Sequence, residues 1–141
     1  MIHDTDKAYL AGLFDGEACF SIKQRMKKRG PKLKSYPTWD IRIEINMTDQ
    51  SVIRWLYEVL GCGSFSKKPP GKGQLGKKMQ WRWRCSHRDA YYVCCLIWPF
   101  AHTKLPKIHQ IIEHYTTQIE SGKIIDLKMY KENRLAKQDN L

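Results

Sequence analysis

Two acidic residues, Asp15 and Glu17, lie in a stretch that reads AYLAGLFDGEACFSI over residues 8–22. The stretch has a helical apolar pattern but contains two glycines, and each glycine inside a helix costs about 1 kcal/mol relative to alanine. The two acids stand near the predicted helix C-terminus, at the negative end of the helix dipole. The stretch thus breaks two local preferences, one against glycine inside a helix and one against acids at a helix C-terminus. Two such breaks together indicate a role in function rather than in folding.

Small residues recur along the same predicted helix. Ala8, Gly12 and Gly16 are four residues apart and form one ridge, along which a second helix backbone can approach closely. No second copy of this helix occurs in the chain, which favours pairing with the same helix of another subunit around a two-fold axis. A tight helix–helix contact within the chain is the alternative. We expect a dimer interface formed by Ala8, Ala11, Gly12, Asp15 and Gly16.

Pairing of this kind would bring two negative helix ends together. Like charges at that distance repel each other, and a divalent cation would turn the repulsion into a binding site. Oxygen ligands from acids alone suit hard ions such as Mg²⁺. The acids therefore predict a magnesium site near the two-fold axis.

The rest of the chain predicts the elements that position these acids. Helical and alternating patterns follow one another in the order α-β-β-α-β-β-α-α. In chain order, the expected elements lie at about 5–15, 19–26, 39–47, 48–61, 62–68, 79–86, 89–100 and 106–122. This order predicts an α+β fold in which a four-stranded antiparallel, saddle-like sheet carries the helices on one face. We expect one domain over residues 1–122 and a charged tail over 123–141 with at most a short, frayed helix.

One face of the predicted sheet mixes hydroxyl, amide, acidic and cationic side chains, which can hydrogen-bond base edges and phosphates. Both hairpin tips, at 27–37 and 69–78, are rich in Lys and Arg. They extend the positive charge beyond the ends of the sheet. A saddle-shaped sheet that follows a length of DNA requires this extension, whereas a face that is merely solvated does not. The residues expected to contact DNA are Ser21, Lys23, Arg25, Lys27, Lys28, Lys34, Arg42, Glu44, Asn46, Ser64, Ser66, Lys68, Lys72, Gln80, Arg82 and Arg84.

The overall composition agrees with a polyanionic partner. The chain has 141 residues, with 25 Lys and Arg against 14 Asp and Glu and a formal net charge of +11, which favours nucleic acid or an anionic membrane surface. No secretory signal is visible and the longest apolar run, over 91–98, is too short to span a bilayer. We expect an intracellular protein without a membrane partner. Five cysteines without a CxxC pair favour reduced core thiols over disulfides or a zinc site.

The nonapeptide LAGLFDGEA, residues 10–18, resembles the signature of the LAGLIDADG homing endonucleases, with Ala18 where glycine is usual. The element order over about residues 5–121 agrees with that family, and a single motif copy resembles its homodimeric branch. The resemblance implies an endonuclease that cuts both strands of a long pseudo-palindromic duplex site by metal-dependent phosphodiester hydrolysis. Mg²⁺ is the expected cofactor, with Mn²⁺ as a substitute and Ca²⁺ supporting binding without cleavage.

The resemblance also implies roles for single residues. Glu17 corresponds to the metal-binding acid, and the backbone carbonyl of Ala18 to a further metal ligand. Lys104 corresponds to the basic residue near the scissile phosphate. Asp15 is expected to be structural and to bond to backbone groups at the helix end.

A water-ordering residue is the point at which this sequence departs from the family. Met47 occupies a strand-end position that a polar residue such as Gln usually fills. Methionine cannot order water, so Asn46 or Asp49 is expected to substitute.

Two other functions fit the same residues. Relatives of this family include intron maturases, which bind RNA without cutting, and a nucleic-acid-binding module of another class would bind without metal. Only the endonuclease requires the acid at the dimer axis, so substitution of Glu17 separates these functions.

Overall fold

The protein is described by a computed structural model that covers residues 2–71, 73 and 78–120. Lys72, one of the residues predicted to contact DNA, and the predicted tail over 123–141 lie outside the described residues. The elements are α1 (Asp4–Glu17), β1 (Ala18–Lys28), β2 (Ser35–Met47), α2 (Gln50–Leu60), β3 (Ser64–Lys68), β4 (Gln80–Ser86), α3 (Arg88–Ile97) and α4 (Leu105–Glu120). The predicted order of helices and strands is confirmed.

The strands form one antiparallel sheet in the order β1-β2-β4-β3. The two hairpins meet where β2 pairs with β4, with Ile45 opposite Trp83. The first hairpin is longer than predicted, because β1 continues to Lys28 and pairs there with Ser35. Residues near this tip are exposed on both faces, so their backbone pairing leaves no alternating pattern in the sequence.

The hydrophobic core lies between the helices and one face of the sheet. Phe14 of α1 is fully buried, and its ring centroid lies 6.1 Å from that of Phe20 and 5.6 Å from that of Trp83. Ile41 and Ile43 extend the buried face along β2. This packing fixes the position of α1 on the sheet, and with it the position of the acidic end of the helix.

The connection from α2 to β3 depends on two glycines. Gly61 ends α2 in the left-handed region with φ of 66°, and Gly63 has φ of 86°. A Cβ at Gly63 would lie 2.7 Å from the Trp83 indole nitrogen, which itself donates a hydrogen bond to the Cys62 carbonyl at 3.0 Å. The close approach explains why the chain has glycine here.

The expectation for the cysteines is refined by this fold. Cys85 and Cys94 are buried as predicted, but Cys19 is exposed, because it lies on the outer face of β1 opposite Glu44. Among the described residues, no helix has the length and apolar character that crossing a membrane requires.

Candidate active site and nucleic-acid interface

The small-residue ridge of α1 faces away from the rest of the described chain. Ala8, Gly12 and Gly16 are exposed, and a Cβ built on either glycine meets no heavy atom within 4 Å. A tight helix–helix contact within the described chain, the alternative explanation for this ridge, is therefore wrong. Ala11, which was included in the predicted interface, is 0% exposed. It packs in the core, because it lies about 100° around the helix from Gly12, and is removed from that interface.

Asp15 connects α1 to a distant loop. One carboxylate oxygen accepts a hydrogen bond from the His102 backbone N–H at 2.8 Å, and the other accepts one from the Lys104 backbone N–H at 3.0 Å. Asp15 thus bonds to backbone groups, as its expected structural role requires. These bonds use both oxygens of the carboxylate and fix the loop before α4 at the end of α1.

Lys104 is held by its backbone, and no hydrogen bond or ion pair with another described residue engages its side chain. Its carbonyl accepts a hydrogen bond from the Ile108 N–H at 3.0 Å, so it stands at the start of α4. The His102 carbonyl accepts from the Leu105 N–H at 3.3 Å and completes the turn. The structure therefore brings Lys104 next to the motif helix at Asp15, from which it is 89 residues removed in sequence.

Glu17 is the last residue of α1 and is exposed. Among the described residues, no hydrogen bond or ion pair engages its carboxylate. Ala18 follows as the first residue of β1 and is buried at 4% exposure. The described part of the chain contains no group of three or more His, Cys, Asp or Glu residues that could hold a metal ion. This end of α1 thus presents one exposed carboxylate that has no partner among the described residues.

The two predicted substitutes for Met47 have other bonds. One Asp49 oxygen caps α2 by accepting from the Ser51 N–H at 3.0 Å, the Ser51 hydroxyl at 2.6 Å and the Val52 N–H at 3.4 Å. These hydrogen bonds, that from the Ser51 side chain foremost, lower the pKa of Asp49. Asn46 donates to Glu44 at 3.0 Å and accepts from Arg82 at 3.3 Å. Water ordering by either residue stays a prediction.

Side chains of one face of the sheet form the predicted DNA-contacting surface. The strand residues that alternate onto this face are Ser21, Lys23, Arg25 and Lys27 on β1, Arg42, Glu44 and Asn46 on β2, Ser64, Ser66 and Lys68 on β3, and Gln80, Arg82 and Arg84 on β4. Lys28 and Lys34 flank the β1–β2 turn and are exposed. The structure therefore brings together strand residues that the sequence placed on separate hairpins.

A basic cleft lies at one end of this face. It has a volume of about 830 Å³ and is lined by Thr48, Lys68, Pro69, Pro70, Gly71, Lys78, Gln80 and Arg82. Lys78 belongs to the Lys-rich segment over 67–78, whose lysines the sequence predicts to act on phosphates. A polyanion that follows the sheet face would find three cationic side chains together in this cleft.

Ion pairs on the sheet face were not predicted from the sequence. Asp40, which was not selected as a site residue, lies 3.2 Å from Arg25 and 3.7 Å from Arg42. Glu44 lies 2.8 Å from Arg84 and 3.5 Å from Arg82. The alternation of residues along β2 places both acids on the polar face, and this is the sequence signal from which the ion pairs could be predicted.

Comparison with known proteins agrees with this architecture. A model of the family described as LAGLIDADG endonuclease matches residues 10–133. The chain therefore belongs to the LAGLIDADG endonuclease family. No curated protein matched the chain.

Solved structures of homing endonucleases share the fold. The archaeal intron-encoded I-Vdi141I, complexed with DNA, is 15% identical with a TM-score of 0.62, over 83% of this chain and 70% of that one. I-CvuI, in complex with the I-CreI target, is 12% identical with a TM-score of 0.60, over 77% and 64%. The group I intron-encoded I-CeuI, complexed with DNA, is 16% identical with a TM-score of 0.59, over 86% and 60%. This chain thus spans less than two thirds of the length of I-CvuI and of I-CeuI.

Proposed function

We propose that this protein is a site-specific DNA endonuclease that hydrolyses phosphodiester bonds in both strands of a duplex with a divalent metal ion. The observation that carries the proposal is the end of α1, where Asp15 bonds the loop that contains Lys104 to the helix and Glu17, two residues further on, has an exposed carboxylate that no described residue engages. Membership in the LAGLIDADG endonuclease family supports it.

Two copies of the chain complete the proposed site. The exposed ridge of Ala8, Gly12 and Gly16 leaves space for a second α1 helix to approach. Two-fold pairing along this ridge brings two Glu17 carboxylates to the same axis. One carboxylate per chain explains why a single described chain contains no metal-ligand cluster. The assembly that acts on duplex DNA is therefore a homodimer.

The donor atoms at this end of the helix suit Mg²⁺. Glu17 would hold the ion through its carboxylate and Ala18 through its backbone carbonyl, and both are hard oxygen ligands. Once bound, the metal supplies Lewis-acid stabilisation of phosphate charge and lowers the pKa of a water molecule. Mn²⁺, which accepts the same ligands, is expected to replace it.

The protein's own side chains bind and orient the substrate. Lysines of the hairpin tips neutralise phosphates along the duplex, and arginines of the sheet face are placed to read base edges. Lys104 is placed to stabilise the negative charge that develops on the scissile phosphate, because such preorganised cations act strongly where water is excluded. The hydrogen bond from its backbone N–H to Asp15 fixes the point on the chain from which the side chain reaches the phosphate.

The proposal is tested by cleavage of a randomised duplex library. We expect recovery of a limited set of sites cut in both strands with Mg²⁺ or Mn²⁺, and binding of the same sites without cutting in Ca²⁺. Lys104→Gln is expected to lower the cleavage rate about a hundredfold with little change in binding. Lys107→Gln, on the exposed surface of α4, is the matched control and should cleave as the unmodified protein does.

Two results would overturn the proposal. The first is an absence of cutting with any of these metals while structured RNA is bound, which would favour a maturase. The second is sequence-selective DNA binding that is the same with and without metal and never leads to cleavage, which would favour a regulator.

A further inference from the structure

Two acids lie on the cationic face of the sheet, where each would repel a phosphate. Asp40 and Glu44 stand four residues apart on β2, on the same face, and each is flanked by two arginines. At about 3.4 Å per residue their spacing is about 14 Å. This corresponds to roughly four base-pair steps along a duplex strand.

The cluster around Glu44 is the more tightly bonded of the two. The Arg84 Nε donates to one oxygen of Glu44 at 2.9 Å, and its Nη2 lies 2.8 Å from the same oxygen. The second oxygen accepts from Asn46 at 3.0 Å and lies 3.5 Å from the Arg82 Nε. Asn46 in turn accepts from that Nε at 3.3 Å, so four side chains form one connected network.

Partial burial strengthens this network. The Glu44 side chain is 18% exposed, while those of Arg82 and Arg84 are 25% and 34% exposed. Burial alone raises the pKa of Glu44, but the hydrogen bonds from Asn46 and Arg84 and the positive charges of both arginines outweigh it, so the pKa is lowered. The carboxylate is therefore ionised at neutral pH and its hydrogen bonds are charge-assisted.

Among the described residues, the network leaves part of each guanidinium group without a hydrogen bond. Arginine carries five N–H donors in a planar fork, and Glu44 contacts the Nε and Nη2 atoms of Arg84. The Nη1 side of that fork remains for an outside acceptor. An arginine whose side chain is already ordered loses less rotamer entropy when it binds a guanine edge than a free arginine does.

We propose that Glu44 is a specificity-determining positioning residue that holds Arg82 and Arg84 for base reading and opposes their transfer to phosphates. The inference rests on the proposed function, because it requires sequence-selective DNA binding. An acid here weakens binding to any phosphate backbone, while its bonds keep two arginines available to guanines. Glu44 therefore lowers non-specific affinity more than specific affinity.

Asp40 provides an internal comparison. Its side chain is 28% exposed and pairs with Arg25, which is 56% exposed, across 3.2 Å. A solvated pair of this kind orders its arginine weakly, because exposed ion pairs contribute little. Arg42, 33% exposed, lies 3.7 Å from the same carboxylate, and among the described residues no hydrogen bond joins Asp40 to either arginine. Asp40→Asn therefore removes the same charge from the same face, beside two arginines that are not hydrogen-bonded to the acid.

The test compares Glu44→Gln and Asp40→Asn in binding assays with Ca²⁺, with a selected site, its single-base variants and a random duplex. For Glu44→Gln we expect a tenfold or greater fall in the ratio of specific to random affinity, concentrated at the base pairs that Arg82 and Arg84 contact. The salt slope for random DNA should steepen by about one unit, because freed arginines reach phosphates. Asp40→Asn should change affinity for all duplexes by a similar small factor.

An unchanged specificity ratio in Glu44→Gln, or an equal fall for both acid variants, overturns this inference while the proposed function stands. Absence of any sequence preference in the unmodified protein overturns both. Thermal unfolding of each variant confirms that the fold is kept. Arg84→Lys serves as a second variant, since it retains the charge without the planar fork and is expected to lose preference at the same base pairs.

Discussion

The inward and outward sides of α1 differ in how far their residues pack against, or hydrogen-bond to, the rest of the described chain. On the inward side Phe14 is fully buried and Asp15 accepts two backbone hydrogen bonds. On the outward side Gly12 and Gly16 have open space above them and Glu17 is exposed. The comparison teaches that folding uses one side of the motif helix and leaves the other for ligands from outside the chain.

The two acids of the motif illustrate this division. Asp15 and Glu17 are two residues apart, which places them about 200° apart around a helix of 3.6 residues per turn. The same chemical group therefore faces opposite surroundings. Asp15 connects segments that are 89 residues apart in the chain, whereas Glu17 has no bonding partner for its carboxylate among the described residues.

The largest expected effect comes from Glu17→Gln on the outward side. Loss of the carboxylate that we propose to bind metal should lower the cleavage rate about a thousandfold, or about 4 kcal/mol of transition-state stabilisation. The free energy of unfolding should change by less than about 0.5 kcal/mol, because the group is exposed. Single-turnover cleavage with Mg²⁺ and urea unfolding measure the two quantities.

Glu58→Gln is the matched control, because Glu58 is an exposed glutamate on α2. It should alter neither cleavage nor stability. If Glu17→Gln unfolds the protein or cleaves at the normal rate, the assignment of the inward side of α1 to folding and of the outward side to function is wrong.

The sequence predicted the parts of the fold that have a strong local signal. The alternation of Ile41, Ile43 and Ile45 predicted the buried face of β2, and all three are fully buried. The glycine and alanine spacing predicted the ridge of α1. These patterns are predictive because a strand repeats every two residues and a helix every 3.6.

What the sequence did not reveal arises from contacts between distant segments. The bonds from Asp15 to His102 and Lys104 depend on how the α3–α4 loop meets α1, which no local pattern reports. The four-residue network of Glu44 depends on the register between β2 and β4. His87 has a positive φ of 53°, a strained conformation for a non-glycine residue that only its surroundings impose.

The second effect in size comes from Asp15→Asn on the inward side. Asparagine has only one oxygen acceptor and presents an NH₂ group where the second N–H must be accepted. We expect a loss of about 2 kcal/mol in the free energy of unfolding, as for hydrogen bonds to a charged group. Cleavage should fall by roughly tenfold, because the loop that carries Lys104 loses an anchor. Urea unfolding and single-turnover cleavage measure the two effects.

Asp4→Asn is the control for this change, since Asp4 is an exposed aspartate in the first turn of the same helix. A stable Asp15→Asn variant with normal cleavage would show that the bond between α1 and the loop does not position Lys104. The inward side would then be defined by Phe14 and its apolar neighbours alone.

The smallest effect is expected from Gly12→Ala, which should stabilise the protomer and weaken the dimer. A Cβ at this position meets nothing within 4 Å, so the protomer should gain up to about 1 kcal/mol in the free energy of unfolding from the higher helix propensity of alanine. The same methyl group, introduced twice across a two-fold axis, should hinder close helix pairing and raise the dimer dissociation constant about tenfold. Sedimentation measures the dimer dissociation constant, and urea unfolding at low protein concentration measures the stability of the protomer.

Gly71→Ala, in an exposed turn with equally open space, should leave the dimer unchanged. Equal dimerisation of Gly12→Ala and the unmodified protein would place the subunit contact elsewhere and remove the role of the outward side of α1.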